Sequence, residues 1–130
     1  MTTLYEAQRA IFATLNNDAT LRGLITGVFD AVPDGTAFPY VSIGELTESD
    51  FATFDRDGSE ATIAIHIWSD YRGNSQQLRI LDRMNELLDG ASLAMTGQTL
   101  VSITYDNGVT VNEPTLRHFV ARYRLRIQED

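Results

Sequence analysis

Residues 61–68, ATIAIHIW, form the clearest strand pattern in the chain and decide its class of fold. Strict alternation divides their side chains between two faces, one with Ala61, Ile63, Ile65 and Ile67 and the other with Thr62, Ala64, His66 and Trp68. Both faces carry apolar side chains, which is typical of a strand with neighbours on both sides. We therefore expect this strand near the centre of a sheet.

Helical periodicity precedes this strand. Residues 4–16 are predicted to form a first helix, with Thr3 as its cap and Glu6 completing a capping box. The polar pair at 17–18 offers a second cap, before a short helical turn at 19–24.

A third helix is expected directly after the strand. It should begin at Asn74 or Ser75 and end at Gly90, because glycine is favoured just beyond a helix. The side chains predicted to face the sheet are Leu78, Leu81, Met84, Asn85 and Leu88.

Four further strands complete the predicted sheet. They are expected at residues 28–32, 40–46, 100–105 and 116–127. Pro33-Asp34-Gly35 and Asn107-Gly108 are turn signals between them. Strands interrupted by a few helices and joined by hairpin-type turns favour the α+β class, here a mostly antiparallel sheet of about five strands with helices packed on one face. We expect a single domain over residues 1–130.

Composition excludes several kinds of chemistry. The chain has no cysteine, which excludes disulfides, thiolate catalysis and thiolate zinc sites. Its net charge of -8 argues against stable binding to a nucleic-acid backbone. No stretch approaches the ~18 apolar residues of a membrane helix, and no targeting segment is visible. We therefore expect assembly in the cytoplasm, without a membrane partner.

No motif predicts a catalytic, cofactor-binding or metal site. Asp55, Asp57 and Gly58 resemble part of a calcium loop, but the further acidic ligand and the closing glutamate are missing. His66 is expected to be packed or hydrogen-bonded beside Trp68. We predict no cofactor and no enzymatic activity, the alternative being a small-molecule enzyme or ligand-binding domain with a pocket between sheet and helices.

The last predicted strand carries the strongest surface signal. Alternation places Phe119, Ala121, Tyr123, Leu125 and Ile127 on its core face and His118, Val120, Arg122, Arg124 and Arg126 on the other face. Like charges along one strand face repel each other unless negative charge lies against them. Three interpretations stay open for the arginines: a solvated outer strand, a contact with an acidic partner surface, or, least favoured, a contact with nucleic acid.

An acidic surface is available in the same chain. Residues 30–60 hold eight acidic residues against one arginine, whereas residues 117–130 hold four arginines against two acidic residues. Contact between unlike patches of identical copies is head-to-tail and can close a ring. We hypothesise that Arg122, Arg124 and Arg126 of one copy face an acidic segment of the next that includes Asp50, Asp55 and Asp57.

The segment 47–59, TESDFATFDRDGS, is a long polar connection that also contains Phe51 and Phe54. A flexible hairpin loop is one interpretation. The other is a docking arm, because long loops in compact domains are often functional and exposed phenylalanines suit contact with another protein.

The order of cues along the chain resembles that of a known family. Residues 28–45, VFDAVPDGTAFPYVSIGE, combine a short strand, a Val-Pro turn, a Phe-Pro-Tyr re-entry and a Gly-Glu exit, and they are followed by the strand ending at 67–70, IWSD, and an amphipathic helix. This pattern resembles the tail-completion proteins, or tail terminators, of long-tailed phages, prophages and phage-derived particles.

The resemblance implies a structural protein of the virion that acts at the tail–head junction. It implies a ring, as a hexamer, at the head-proximal end of the tail tube, which ends tube growth. The implied partners are further copies of the chain, the tail tube protein and a head–tail connector or stopper protein, and DNA would pass through the lumen without specific binding. Another ring subunit, such as a tube protein or a head-side stopper, is the alternative within the same class.

Overall fold

The computed structural model describes residues 3–49, the main chain of residue 50, and residues 58–129. The elements are α1 (Thr3–Asn16), α2 (Ala19–Arg22), β1 (Val28–Phe29), β2 (Tyr40–Asp50), β3 (Gly58–Ser69), α3 (Ser75–Leu88), β4 (Gln98–Thr110) and β5 (Arg117–Glu129). The predicted class is confirmed, since the chain folds as an α+β structure around a five-stranded sheet.

The strand order in the sheet is β1-β2-β3-β5-β4. β1 lies parallel to β2, and every other pair of neighbours is antiparallel. β3 occupies the centre, as predicted from its two apolar faces. One edge of the sheet is formed by β4 and the other by β1, together with the part of β2 that extends beyond it.

The core lies between the sheet and the helices. Ile63, Ile65 and Ile67 of β3 are fully buried on the face that α1 and α3 cover. The helices contribute buried side chains to the same cluster, among them Ile11, Leu15, Met84 and Leu88. Burial of a side chain of this size stabilises the fold by roughly 1.5–3 kcal/mol.

The polar contacts of α1 differ from the predicted capping box. Thr3 lies within the helix, and its hydroxyl accepts a hydrogen bond from the Gln98 amide at 3.1 Å. The buried carboxylate of Glu6 instead pairs with Arg9 at 2.8 Å and accepts the Thr96 N–H at 2.6 Å. These bonds hold the pKa of Glu6 below its usual range. The two residues predicted to form a capping box therefore bond to Arg9, Thr96 and Gln98 instead of to each other's main chain.

α2 begins as predicted, with Asp18 as its cap. The Asp18 carboxylate accepts the Leu21 N–H at 2.8 Å and also binds Arg83 of α3, with distances of 2.7 and 2.9 Å to two guanidinium nitrogens. Arg83 foremost, and the Leu21 N–H next, lower the pKa of Asp18 to about 2. This ion pair joins α2 to α3.

α3 has the predicted position, and three of its five predicted sheet-facing residues, Leu81, Met84 and Leu88, are buried. Leu78, predicted to face the sheet, is 41% exposed, whereas Gln77 and Ile80 are buried. The Gln77 amide donates to Asn74 Oδ1 at 2.9 Å, while its buried Oε1 has no hydrogen-bond partner among the described residues. A prediction that expects only apolar residues on the buried side of a helix misses a buried glutamine.

The strands differ in length from their predictions: β1 is shorter, whereas β2, β3 and β4 are longer. β1 ends at Phe29 rather than at residue 32, and main-chain bonding to the next strand already begins before it, where Thr26 N–H donates to Pro39 O at 2.8 Å. β2 runs to Asp50 rather than to residue 46, and a bulge between Ile43 and Leu46 lets it continue past its expected end.

The predicted Asn107-Gly108 turn is wrong. Both residues lie inside β4, next to a register shift between Tyr105 and Asn107, and the connection to β5 comes later, at residues 111–116. Gly108 is needed for a different reason: a Cβ atom there would collide with the Tyr105 hydroxyl and the Phe119 ring. Close packing, and not a turn, accounts for this glycine.

Candidate assembly surfaces

The face of the sheet opposite α1 and α3, here called the open face, holds two groups of side chains. The arginine cluster consists of Arg122, Arg124 and Arg126 with Glu60 and Asp106. The aromatic–histidine cluster consists of Tyr40, Trp68, His66 and His118 with Glu45. The predicted alternation of β5 is confirmed, since its five core-face residues are buried.

Two of the three arginines have carboxylate partners within the same chain. Arg124 lies 3.4 Å from Glu60 of β3 and 3.3 Å from Asp106 of β4. Arg126 lies 3.8 Å from Glu60. The side chains of both arginines are about half exposed, at 51% and 50%, so each pair contributes roughly 0–1 kcal/mol. Acidic and basic side chains that lie far apart in the sequence are therefore neighbours on the open face of the sheet.

Arg122 differs from its two neighbours. Its guanidinium donates to Asn107 Oδ1 over 3.4 Å, and within residues 3–49 and 58–129 it has no ion-pair partner. Of the three arginines predicted for the interface, it is therefore the one whose charge is left uncompensated in the described part of the chain. A guanidinium is well suited to bidentate pairing with a carboxylate of another molecule.

The other predicted site residues lie largely outside the described residues. This holds for Asp55, Asp57, Phe51 and Phe54, and for the side chain of Asp50. The strand ends that flank them are described: Asp50 lies opposite Ser59, which in turn lies opposite Ile127 of β5. The acidic connection therefore leaves the sheet at the same end as Arg126.

The aromatic–histidine cluster was not predicted. His66 Nδ1 lies 2.6 Å from His118 Nε2, and His66 Nε2 lies 3.2 Å from a Glu45 oxygen. The Trp68 ring stacks on His118 with a centroid distance of 3.8 Å, and its N–H donates to Ser42 Oγ at 3.2 Å. Only the pairing of Trp68 with His118 across β3 and β5 brings the two histidines together.

Burial, and then the nearby His66, lower the pKa of His118, while Glu113 and Glu45 act in the opposite direction. A lowered pKa means that the neutral form of His118 is favoured in the fold. The expected packed and hydrogen-bonded His66 is confirmed.

His66 does not line any of the described surface depressions, which gives no support to a ligand pocket at this residue. One half-open depression of about 390 Å³ is lined by Asp70, Tyr71, Arg72, Pro114, Thr115 and Arg117. In the described ranges there is no group of three or more His, Cys, Asp or Glu side chains placed to hold a metal ion. No helix there is long and apolar enough to cross a membrane.

Comparison with known proteins identifies the family. The family model described as "Tail completion protein gp17" matches residues 9–128, nearly the whole chain. The protein therefore belongs to the tail completion protein family. This is a family of structural proteins of phage-like tails and not a family of enzymes.

Solved structures agree with this assignment. A chain of the virion of a native gene transfer agent particle superposes with a TM-score of 0.90 at 26% identity, over 98% of each chain. The gp17 protein of bacteriophage SPP1 superposes with a TM-score of 0.61 at 19% identity, over 95% of this chain and 91% of that one, which shows the shared fold. No curated protein sequence is significantly similar to the chain.

Proposed function

We propose that copies of this protein form a closed ring at the head-proximal end of a tail tube, end the growth of the tube and join it to the head connector or stopper. Membership of the tail completion family and the close likeness to a chain of a gene transfer agent virion support this role. The hexameric state and these partners follow from the resemblance noted in the sequence.

The observation that supports ring formation most directly is the uncompensated Arg122 within the arginine cluster. In the proposal, it and its two neighbours on β5 face the acidic segment of the next copy, which includes Asp50, Asp55 and Asp57. Such a contact joins two different patches, so it is head-to-tail and can close.

The remaining parts of the proposal concern the tube and the DNA. Phe51 and Phe54 would contact the last ring of the tube, because they are large apolar side chains on a long connection between two strands. The net charge of -8 suits a lumen through which DNA moves, since a negative wall repels the phosphate backbone.

A reconstitution with purified tail tubes tests the proposal. Electron microscopy should show one ring at one end of each tube in the presence of the wild-type protein, and tubes that no longer elongate when tube subunits are added. Deletion of residues 51–57 should leave the protein folded but abolish attachment to the tube. Capping by that deletion variant would remove the docking role of the two phenylalanines.

The charge contact has a matched control. Arg122→Glu, Arg124→Glu and Arg126→Glu together should abolish rings on tubes, whereas the same reversal at Arg22, Arg72 and Arg79 should not. All three control residues are exposed and lie outside the arginine cluster, and both triple variants carry the same net charge. Equal loss of rings in the two variants would show that overall charge, and not this surface, controls assembly.

A further inference from the structure

Part of the β4 edge is left open for pairing. Val111 N–H donates to His118 O at 2.7 Å. Because hydrogen-bonded and non-bonded pairs alternate along an antiparallel ladder, Gly108 and Thr110 direct their main-chain N–H and C=O groups away from β5. Among residues 3–50 and 58–129 these groups have no partner. The stretch carries exposed valines, with Val109 at 45%.

The other half of the same edge is protected. Ile103 O accepts the Gly90 N–H at 2.8 Å, and Tyr105 N–H donates to the Asp89 carboxylate at 2.9 Å. Register shifts also interrupt this half, and bulges and covering loops are the usual means of keeping an edge from pairing. The contrast within one strand singles out residues 107–111 as the accessible segment.

The opposite edge of the sheet has a matching open segment. β1 covers β2 only at Val41 and Ser42, and Val41 N–H donates outward to Gly27 O at 3.1 Å. β3 pairs with β5 without a register shift, so every second residue of β3 directs its main-chain groups towards β5 along the whole strand. The residues of β2 that lie opposite these positions point away from β3, both before and after the bulge in β2. Leu46 and Glu48 therefore also point their main-chain groups away from β3, and in the described chain these groups have no partner.

The directions of the two edges are compatible. β2 is antiparallel to β3, β3 to β5, and β5 to β4, so β2 and β4 run in opposite directions. A second copy placed beside the first in the same orientation would thus meet β2 with an antiparallel β4. The helices of both copies would stay on the same side of the extended sheet. Because the two edges differ, the addition is head-to-tail.

The two open segments lie at opposite ends of the sheet. Val109 is level with Val120 of β5, His66 of β3 and Ser42 of β2, whereas Glu48 is level with Ala61 of β3. Pairing of the two segments therefore shifts each copy along the strand direction by about five residues, or roughly 16 Å. A constant stagger of this kind is what strands need in order to close a sheet on itself.

We infer that residues 107–111 of β4 pair with residues 46–50 of β2 in a neighbouring copy, so that the sheet continues from subunit to subunit around the ring. This inference rests on the proposed ring. It assigns the main-chain part of the contact to strand addition.

Proline substitution on tail tubes tests the pairing. Thr110→Pro and Glu48→Pro each remove one outward N–H that the fold of the single chain does not use, and proline is tolerated at such edge positions. Each should lower the ratio of ring-bound to free protein by about tenfold or more. The matched variants Thr110→Ala and Glu48→Ala lose the same side chains but keep the N–H, and they should assemble like the wild type. Thermal unfolding of the free proteins checks that the proline variants fold.

Hydrogen exchange of the wild-type protein gives a reading that needs no substitution. The amides of Gly108, Thr110 and Glu48 should exchange rapidly in the free protein and at least about tenfold more slowly in the ring. Rings of normal stability from both proline variants, or unchanged exchange at these amides in wild-type rings, would overturn the strand pairing and leave the ring itself intact. Failure of the wild-type protein to form rings on tubes would overturn the proposed function and the pairing together.

Discussion

The two faces of this sheet are built on the same strands but follow different rules. On the helix-covered face, Ile63, Ile65 and Ile67 are all fully buried, and each position is decided by the alternation of its own strand. On the open face, the environment of Arg124 or His66 depends on which residue of a neighbouring strand lies opposite. The burial of the isoleucines can be predicted from a single stretch of sequence, whereas the contacts of Arg124 and His66 can be predicted only when the register of several strands is known.

The largest effect is expected on the covered face. Ile65→Ala should lower the free energy of unfolding by about 2–5 kcal/mol, because it removes buried apolar surface and leaves a cavity under α1 and α3. Thr62→Ala, on the open face of the same strand, should change it by less than about 1 kcal/mol. Chemical denaturation of the two purified variants provides the measurement. Similar losses at both positions would mean that the open face is covered in the free protein.

A somewhat smaller effect is expected at Gly108. Gly108→Ala should destabilise the protein by about 1–3 kcal/mol, because the new methyl group meets the Tyr105 hydroxyl and the Phe119 ring. Replacing the Phe119 ring by the smaller leucine side chain, in the double variant Gly108→Ala, Phe119→Leu, should recover part of the lost stability. Equilibrium unfolding of both variants measures this recovery. An unchanged stability of Gly108→Ala would show that β4 moves aside at little cost.

Gly108 also illustrates where sequence reasoning succeeds and where it stops. The two faces of β5 and the central place of β3 were predicted correctly, because alternation is a property of one strand. The Asn107-Gly108 pair was misread, since glycine in a turn and glycine under a close contact look the same in sequence. Leu78 was misplaced because the polar Gln77 is buried.

The residues of the candidate surfaces could also be predicted from the sequence only in part. The arginines on β5 could be identified from their spacing, but their partners Glu60 and Asp106 could not, because those come from two other strands. His66 and His118 are far apart in sequence and meet only through the β3–β5 register. The interface roles of Asp50, Asp55 and Asp57 and the docking role of Phe51 and Phe54 stay predictions.

The ion pair between Asp18 and Arg83 should show a moderate, pH-dependent effect. Its two side chains are only 14% and 26% exposed, and the pKa of Asp18 in the folded protein is lowered to about 2. A lowered pKa means that the folded state holds the proton less tightly than the unfolded state, so the stabilisation is full above about pH 4 and is lost as the pH falls towards 2. Asp18→Asn should lower stability by about 1–2 kcal/mol at pH 7 and by little at pH 2, as measured by thermal unfolding across that range. A constant difference between the two proteins over this range would assign the effect to the helix cap and not to the charge.

The smallest effect is expected for the exposed pair of Arg124 and Glu60, whose side chains are 51% and 32% exposed. A double-mutant cycle with Arg124→Gln and Glu60→Gln should give a coupling energy of about 0.2–1 kcal/mol in the free protein, because solvent screens the charges. The coupling should fall further in 1 M salt, where the Debye length is about 3 Å. A coupling well above 1 kcal/mol in free protein would mean that the arginine cluster mainly stabilises the subunit, and it would weaken the case that this surface serves assembly. A small coupling is what the ring proposal needs, since arginines held loosely by their own chain can turn to the carboxylates of another copy at little cost.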